Sequence, residues 1–431
     1  MSDTHAQSVP FVRESFIPEA PPPETDTGVV AWLRKNLFST WAYALLTIAA
    51  LYVIYVILAG VLPWLLNGVW NADSIQQCRE ILAGERGGCF AVLTERWNQL
   101  LFGFSYPTEA YWRPTLAFAL LFVAAAPVLF TSVPRILLVA TLLYPFAAYW
   151  LLWGGTILAP LVGLLGVIGG YLVYRRLIDR SFAYGLLGGI VAAAAIMWLG
   201  GFVVADQPRF LSLLPVQSRD MGGFMLNMLL GVICVSLSLP IGILLALGRQ
   251  SSLPIIKWIC VVFIEFVRGV PLITLLFVAN VVLAYFLPPG TTFDLILRVI
   301  IMITMFASAY IAEVIRGGLA ALPRGQYEAA DSLGLDYAQA MRLVILPQAL
   351  KISIPGIVNV AVGLFKDTTL VSIISMFDLV GMIRGPILAS TDWGGVYWEL
   401  FGFAALLFFV VCYGISQYSQ WLERRLATDH R

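Results

Sequence analysis

The chain has 431 residues, 60% of them apolar and only 12% charged, with a mean hydropathy of +0.87, far from the roughly 25% charged fraction of a soluble domain. A formal net charge of +1, with basic residues scattered among connecting loops, excludes nucleic acid as a partner. The composition predicts an all-α polytopic membrane protein.

Residues 1–30, within the first segment at 1–35, hold a Pro-rich, acidic stretch, Pro18 to Asp26, with no apolar period and no cleavable signal pattern. They are expected to form a disordered cytoplasmic tail. Apolar windows of about 20 residues, the length needed to cross a bilayer, fall near 41–66, 115–133, 136–153, 156–174 and 182–204. Five more fall near 224–248, 256–279, 293–314, 352–375 and 397–420. About ten spans are therefore expected, with a break at Gly154-Gly155 that fits either two crossings or a re-entrant hairpin.

Alternate loops gather the basic residues (Arg34, Lys35, Arg135, Arg175, Arg176, Arg180, Arg249, Lys257, Arg316, Arg324, Arg342, Lys351, Arg424 and Arg425) on one side, which predicts both termini in the cytoplasm. The long loop at 67–113 then lies outside, and it holds Cys78 and Cys89 in a disulfide-permissive compartment. They read either as a disulfide or as two unrelated thiols. Cys234, Cys260 and Cys412 lie in apolar runs and read as small hydrophobes.

Trp64, Trp70, Trp112, Trp150, Trp153, Trp393 and Trp398 cluster at span ends and are expected to be interfacial anchors. Glu265 and Arg268 lie three apart on one helical face before Gly269 and Pro271, a spacing suited to an internal ion pair near a break.

The loop at 316–350 is too long and too patterned for a plain connector. A first short helix is expected from Gly325 to Leu333, ended by Gly334 in the left-handed conformation. Asp336 with Gln339 forms a capping-box spacing for a second, whose apolar stripe of Met341, Val344 and Ile345 runs to an interruption at Pro347. The pair reads as a rigid knob with Tyr327, Leu333 and Leu335 as apolar contacts for a soluble partner, or as an amphipathic hairpin on the lipid surface.

Lys366 and Asp367 sit within the ninth apolar window, where each charge costs at least about 2.5 to 3.5 kcal/mol. An amino acid zwitterion would meet both, with Thr368 and Thr369 as hydroxyl partners. The alternative is a structural role in pairs with Glu265, Arg268 or other spans. Adjacent helical residues diverge by about 100°, so a shared ligand requires an irregular helix there or a cavity on two sides.

Taken together, Glu328-Ala329-Ala330, Gly334, Val344 and Leu346-Pro347 resemble the EAA loop of binding-protein-dependent ABC importer permeases, with Val344 where Ile is usual. Leu245 to Arg249, Glu265 to Leu272 and Leu364 to Ser372 are similar to segments of the polar amino acid uptake family. The likeness covers Met221 to Leu426. The extra N-terminal spans resemble the larger permease of general L-amino acid importers.

The resemblance implies a type I ABC importer permease core at 216–427, preceded by extra transmembrane helices at 36–215. It implies that Glu328, Ala329, Ala330, Gly334, Leu346 and Pro347 face an ATPase homodimer. It also implies a second, non-identical permease, a periplasmic amino acid-binding protein, and residence in the bacterial inner membrane. The chain holds no Gly-x4-Gly-Lys-Ser/Thr run, so no phosphate-cradling loop. ATP and Mg are expected on the partner, and no catalytic residue or metal ligand is expected here. An ion-driven transporter would share the spans and the charged pair, and a membrane scaffold or channel would share the spans; neither needs the loop.

Overall fold

The computed structural model describes residues 28–207, 209–282 and 294–426. Its regular elements there are helical, with three isolated β-bridges between single residues. Contacts divide the chain into two compact units, Met1–Gly68 with Gly84–Gly88, and Val69–Ala83 with Cys89–Arg431.

The first unit contains α1 (Val29–Asn36) and α2 (Trp41–Leu66). Thr40 caps α2 by accepting from the Tyr43 amide at 3.4 Å. No side chain of this 26-residue, apolar helix is buried, as suits a segment whose solvent is lipid. Of the expected tail at 1–35, residues 1–27 lie outside the described residues, while its end is the helix α1.

The second unit holds α3 (Ile75–Leu82), α4 (Ala91–Glu95), α5 (Trp97–Phe102), α6 (Trp112–Leu129), α7 (Leu138–Trp153), α8 (Leu158–Leu177) and α9 (Phe182–Asp206). After these come α10 (Gly223–Arg249), α11 (Pro254–Gly269), α12 (Leu272–Phe277), α13 (Leu295–Ala320), α14 (Arg324–Ser332), α15 (Tyr337–Ala340), α16 (Leu346–Asp367), α17 (Leu379–Met382) and α18 (Tyr397–Leu426). Leu226, Leu230 and Cys234 of α10 share a buried cluster with Val299, Ile303 and Ala307 of α13 and with Leu364 of α16.

Nine helical segments among the described residues are long and apolar enough to cross a membrane, and α7 and α8 on either side of Gly154-Gly155 are two of them. The expected seventh span at 256–279 is not one helix. α11 and the segment beginning with α12 meet at a 102° bend. Pro271 has no N–H to continue the ladder and holds Val270 extended, at φ −110° and ψ 132°.

One end of the second unit is capped by α3, α4 and α5. Cys78 and Cys89 are joined by a disulfide, with their Cα atoms 5.9 Å apart. Ala91, Val92 and Leu100 of the cap are buried with Leu379 and Met382 of α17 and with Trp393 and Leu400. The Cys89 amide donates to the buried Glu399 carboxylate of α18 at 2.9 Å, and the Ile75 amide to the Asp392 carbonyl at 2.8 Å. Trp393, expected as an interfacial anchor, is instead wholly buried, because the cap covers that end of the bundle. Gly103 and Gly222 close the joint, since a Cβ on Gly103 would lie 2.7 Å from the Gly222 Cα.

Candidate coupling and transport sites

At the opposite end from the cap, α13 ends at Ala320 and the chain turns through the buried Leu322 and the exposed Pro323 into α14. Ala330 is buried and Tyr327 packs against a cluster that includes Ile315, Leu319, Leu322, Met341 and Ile345. Gln348 Nε2 donates to Gln326 Oε1 and to the Val344 carbonyl, each at 2.9 Å, tying α14 to α16. The other face is free: Glu328, Ala329 and Gly334 are exposed, and Leu333 is 76% exposed. Ala330, grouped with the partner-facing residues by its motif, is here a packing residue of the knob. Leu346 is half-buried and Pro347 exposed.

Gly334 adopts φ +71°, where a side chain would be strained. The next helix begins with both halves of a capping box: the Gln339 amide donates to Asp336 Oδ1 at 2.8 Å, and the Asp336 amide to Gln339 Oε1 at 3.2 Å. The second helix does not stop at Pro347, as expected from the sequence. Pro347 falls in the first turn of α16, where its missing N–H is harmless. The ladder ahead of it widens to a π turn over Met341–Ile345. The run from Tyr337 to Ile374 is therefore one 38-residue span, joining the knob to the Lys366 region without a break.

Beside the knob lies an ionic cluster. Glu313 of α13 receives Arg316 Nη2 at 2.5 Å, Arg249 Nη1 at 3.3 Å and Arg268 Nη1 at 3.7 Å; Arg249 also meets Glu265 at 2.9 Å. Glu265 and Arg268, expected to pair with each other, instead pair with Arg249 and Glu313 across helices.

Lys366 and Asp367 end α16, and a tight 3-10 turn over Thr368–Ile374 follows. The helix is thus irregular directly after the pair. Lys366 is exposed and Asp367 half-buried, and no ion pair among the described residues involves either. Thr368 is different. Fully buried, it accepts from Asn227 Nδ2 at 2.9 Å and donates to the Phe365 carbonyl at 2.7 Å. Its hydroxyl is committed to holding the turn, so the expected direct contact with a ligand does not fit this arrangement. Thr369 likewise donates to the Lys366 carbonyl at 2.9 Å.

Two residues of this neighbourhood were missed from the sequence. Asn227 and Asp378 are both fully buried. Asn227 Nδ2 also donates to Asp378 Oδ2 at 3.1 Å, and Asn227 Oδ1 accepts from the Leu379 amide at 3.1 Å. Asp378 in turn caps α17 by accepting from the Gly381 and Val380 amides at 2.9 and 3.2 Å. Asp378 lies between the last two spans, and its burial pushes the carboxyl up to about 6, against the hydrogen bonds from Gly381, Asn227 and Val380. A polar residue inside the sixth apolar window was the available signal for Asn227.

Residues 238–428 match the family model described as binding-protein-dependent transport system inner membrane component. The chain is 52% identical over its whole length to the full length of BztC of Rhodobacter capsulatus, a glutamate/glutamine/aspartate/asparagine transport system permease protein. The chain belongs to this family. It is also 36% identical, over 95% of itself and 96% of that protein, to the inner membrane amino-acid ABC transporter permease protein YhdY of Escherichia coli. Among solved structures, 47% of the chain and 92% of the other superpose, at 31% identity and a TM-score of 0.43, on an amino acid ABC transporter with histidines. As an amino acid ABC importer permease, the chain is a multi-pass inner-membrane protein and not an enzyme. ATP is hydrolysed on a separate subunit, and its partners are that ATPase and a binding protein.

Proposed function

We propose that this permease forms half of a pathway for acidic amino acids and their amides, moved inward by force received at the knob of α14 and α15. The observation that carries the reading is the knob's two-sidedness: Tyr327 and Ala330 fasten it to the core, while Glu328, Ala329, Leu333 and Gly334 stand free for a partner. A homodimeric ATPase, holding ATP and Mg, would grip that free face with Leu346 and Pro347 at its rim. The knob then lies in the cytoplasm with both termini, in keeping with the basic loops on that side.

The substrate class is supported by the name of the relative that is 52% identical over the full chain. Lys366 and Asp367 suit a zwitterion, one charge meeting each end, at the helix changeover after Asp367. Thr368 supports that place from behind by its bond to Asn227. A second, shorter and non-identical permease would complete the pathway, and the binding protein would deliver substrate at the cap end. Closure of the ATPase dimer then switches access from outside to inside.

The test is uptake into vesicles containing the permeases and the ATPase, with binding protein outside and ATP inside. Glutamate, glutamine, aspartate and asparagine should enter, uptake should stop without ATP, and it should persist when the proton gradient alone is collapsed. Glu328→Arg should release the ATPase on purification. Lys366→Met and Asp367→Asn should abolish uptake with the ATPase still bound; normal uptake by both would move the substrate site elsewhere.

A further inference from the structure

Glu313 lies two turns before the end of α13, the helix that feeds directly into the knob. Its Oε1 is taken by Arg316 of its own helix, and its Oε2 is shared by Arg249, the last residue of α10, and Arg268, the penultimate residue of α11. Arg268 also lies over the Tyr310 ring of α13, its guanidinium carbon 5.6 Å from the ring centroid. Arg249 in turn holds Glu265 of α11 at 2.9 Å. One carboxylate of α13 thus gathers the ends of α10 and α11, one residue before α11 gives way to the 102° bend. Beneath it, Ala246, Ile264, Ile311 and Ile315 pack those helices into the cluster that receives Tyr327 of the knob and the residues flanking it, Leu322, Met341 and Ile345.

We infer that Glu313 is a positioning residue for coupling: it clamps the ends of α10 and α11 to the C-terminal part of α13, in one body with the root of the knob, so that displacement of the knob is delivered to the bent segment at Val270-Pro271. Apolar packing alone permits helices to slide, whereas Arg249 and Arg268, from two other helices, converge on one carboxylate that Arg316 orients from within α13, which fixes both distance and register. Without Glu313 the cluster would hold three arginines against Glu265 alone, and their repulsion would part the ends the clamp joins. The inference rests on the reading of the knob as the ATPase contact.

The experiment uses the whole importer in vesicles and reads glutamate moved per ATP hydrolysed. Glu313→Gln should keep the ATPase bound and hydrolysing while this ratio falls at least tenfold. Arg268→Gln, which leaves Glu313 two of its three arginines, should lower the ratio by a smaller factor. The double variant should be no worse than Glu313→Gln alone, because both act through one clamp. An unchanged ratio in assembled Glu313→Gln overturns the inference, as does a parallel fall of uptake and hydrolysis at constant ratio. Should Glu313→Gln fail to assemble, Arg268→Gln decides by the same ratio. Loss of the ATPase from Glu328→Arg alongside a normal ratio in the Glu313 and Arg268 variants would leave the knob reading standing and remove only the clamp.

Discussion

Replacing Asn227 by Leu keeps roughly the side chain's size and removes its three hydrogen bonds, to Thr368, Asp378 and the Leu379 amide. The Leu379 N–H then has no acceptor in a fully buried place; Thr368 loses its donor and keeps only its own bond to the Phe365 carbonyl, and Asp378 loses one donor while keeping the Val380 and Gly381 amides. One orphaned amide costs about 1–3 kcal/mol and each weakened partner about 1 kcal/mol, for a total near 3–5 kcal/mol. Added apolar burial offsets about 1 kcal/mol. The net loss of about 2–4 kcal/mol is a factor of about 30 or more in the local opening equilibrium. Amide exchange of Leu379 to Met382 should therefore speed up by at least that factor, because the amides of all four are held through Asn227 or Asp378. Exchange in α14 should not change, since α10 has 27 residues and places the knob end about 40 Å from the cap end. Unchanged exchange in α17, or an equal rise in α14, would refute the reasoning.

The remaining predictions concern other parts of the chain. Burial raises the Asp378 carboxyl from its ordinary 3.8 to about 6, so its contribution to stability is fully present below 3.8 and is lost as pH rises through 6. Melting of the purified permease should thus show a pH-dependent loss of about 3 kcal/mol across that window, absent in Asp378→Asn. Gly334→Ala should weaken ATPase association by roughly 5- to 30-fold, because φ +71° costs a Cβ-bearing residue about 1–2 kcal/mol. Gly334→Asn should bind more nearly as wild type, since nothing lies near the added side chain and Asn tolerates that conformation. Cys78→Ser opens a loop closed over a separation of 11 residues and should lower the stability of the cap by about 3 kcal/mol, read as earlier proteolysis of α3 under conditions that leave α14 intact.

What was legible in the sequence is what local rules decide. The boundaries of α14, the turn at Gly334 and the capping box at Asp336 each depend on residues within four positions of one another. The spans are legible too, because each is one continuous run of about 20 apolar residues whose length is set by the bilayer. The bend at Pro271 was half legible: the residues announce it, but a 20-residue hydropathy window averages across it. Partnerships between distant residues were not legible. Glu265 and Arg268 have the right spacing for each other, yet α11 lies against α10 and α13, and each finds its partner there. Asn227 and Asp378 stand 151 positions apart. Trp393 looks like an anchor because it flanks a span, and only the packing of the cap reveals a core residue.

Two of the helices that cross the second unit, α10 and α16, impose a condition on any movement. The run from Tyr337 to Ile374 is continuous, and from Pro347 to Lys366 it extends about 28 Å, so a tilt of about 10° at the knob moves Lys366 by about 5 Å. α10 cannot stay behind with its bonds unchanged, because Asn227 near its start holds Thr368, while Arg249 at its end holds Glu313 of α13. Either α10 travels with α16, or the Asn227–Thr368 bond is exchanged for another. The second route is accessible: a net hydrogen bond is worth about 0.5–1.5 kcal/mol, small against a conformational change driven by a separate ATPase. Thr368 would then leave Asn227 at the moment Lys366 and Asp367 are displaced, which links the latch at one end of α10 to the charged pair, as the Glu313 cluster links its other end to the knob.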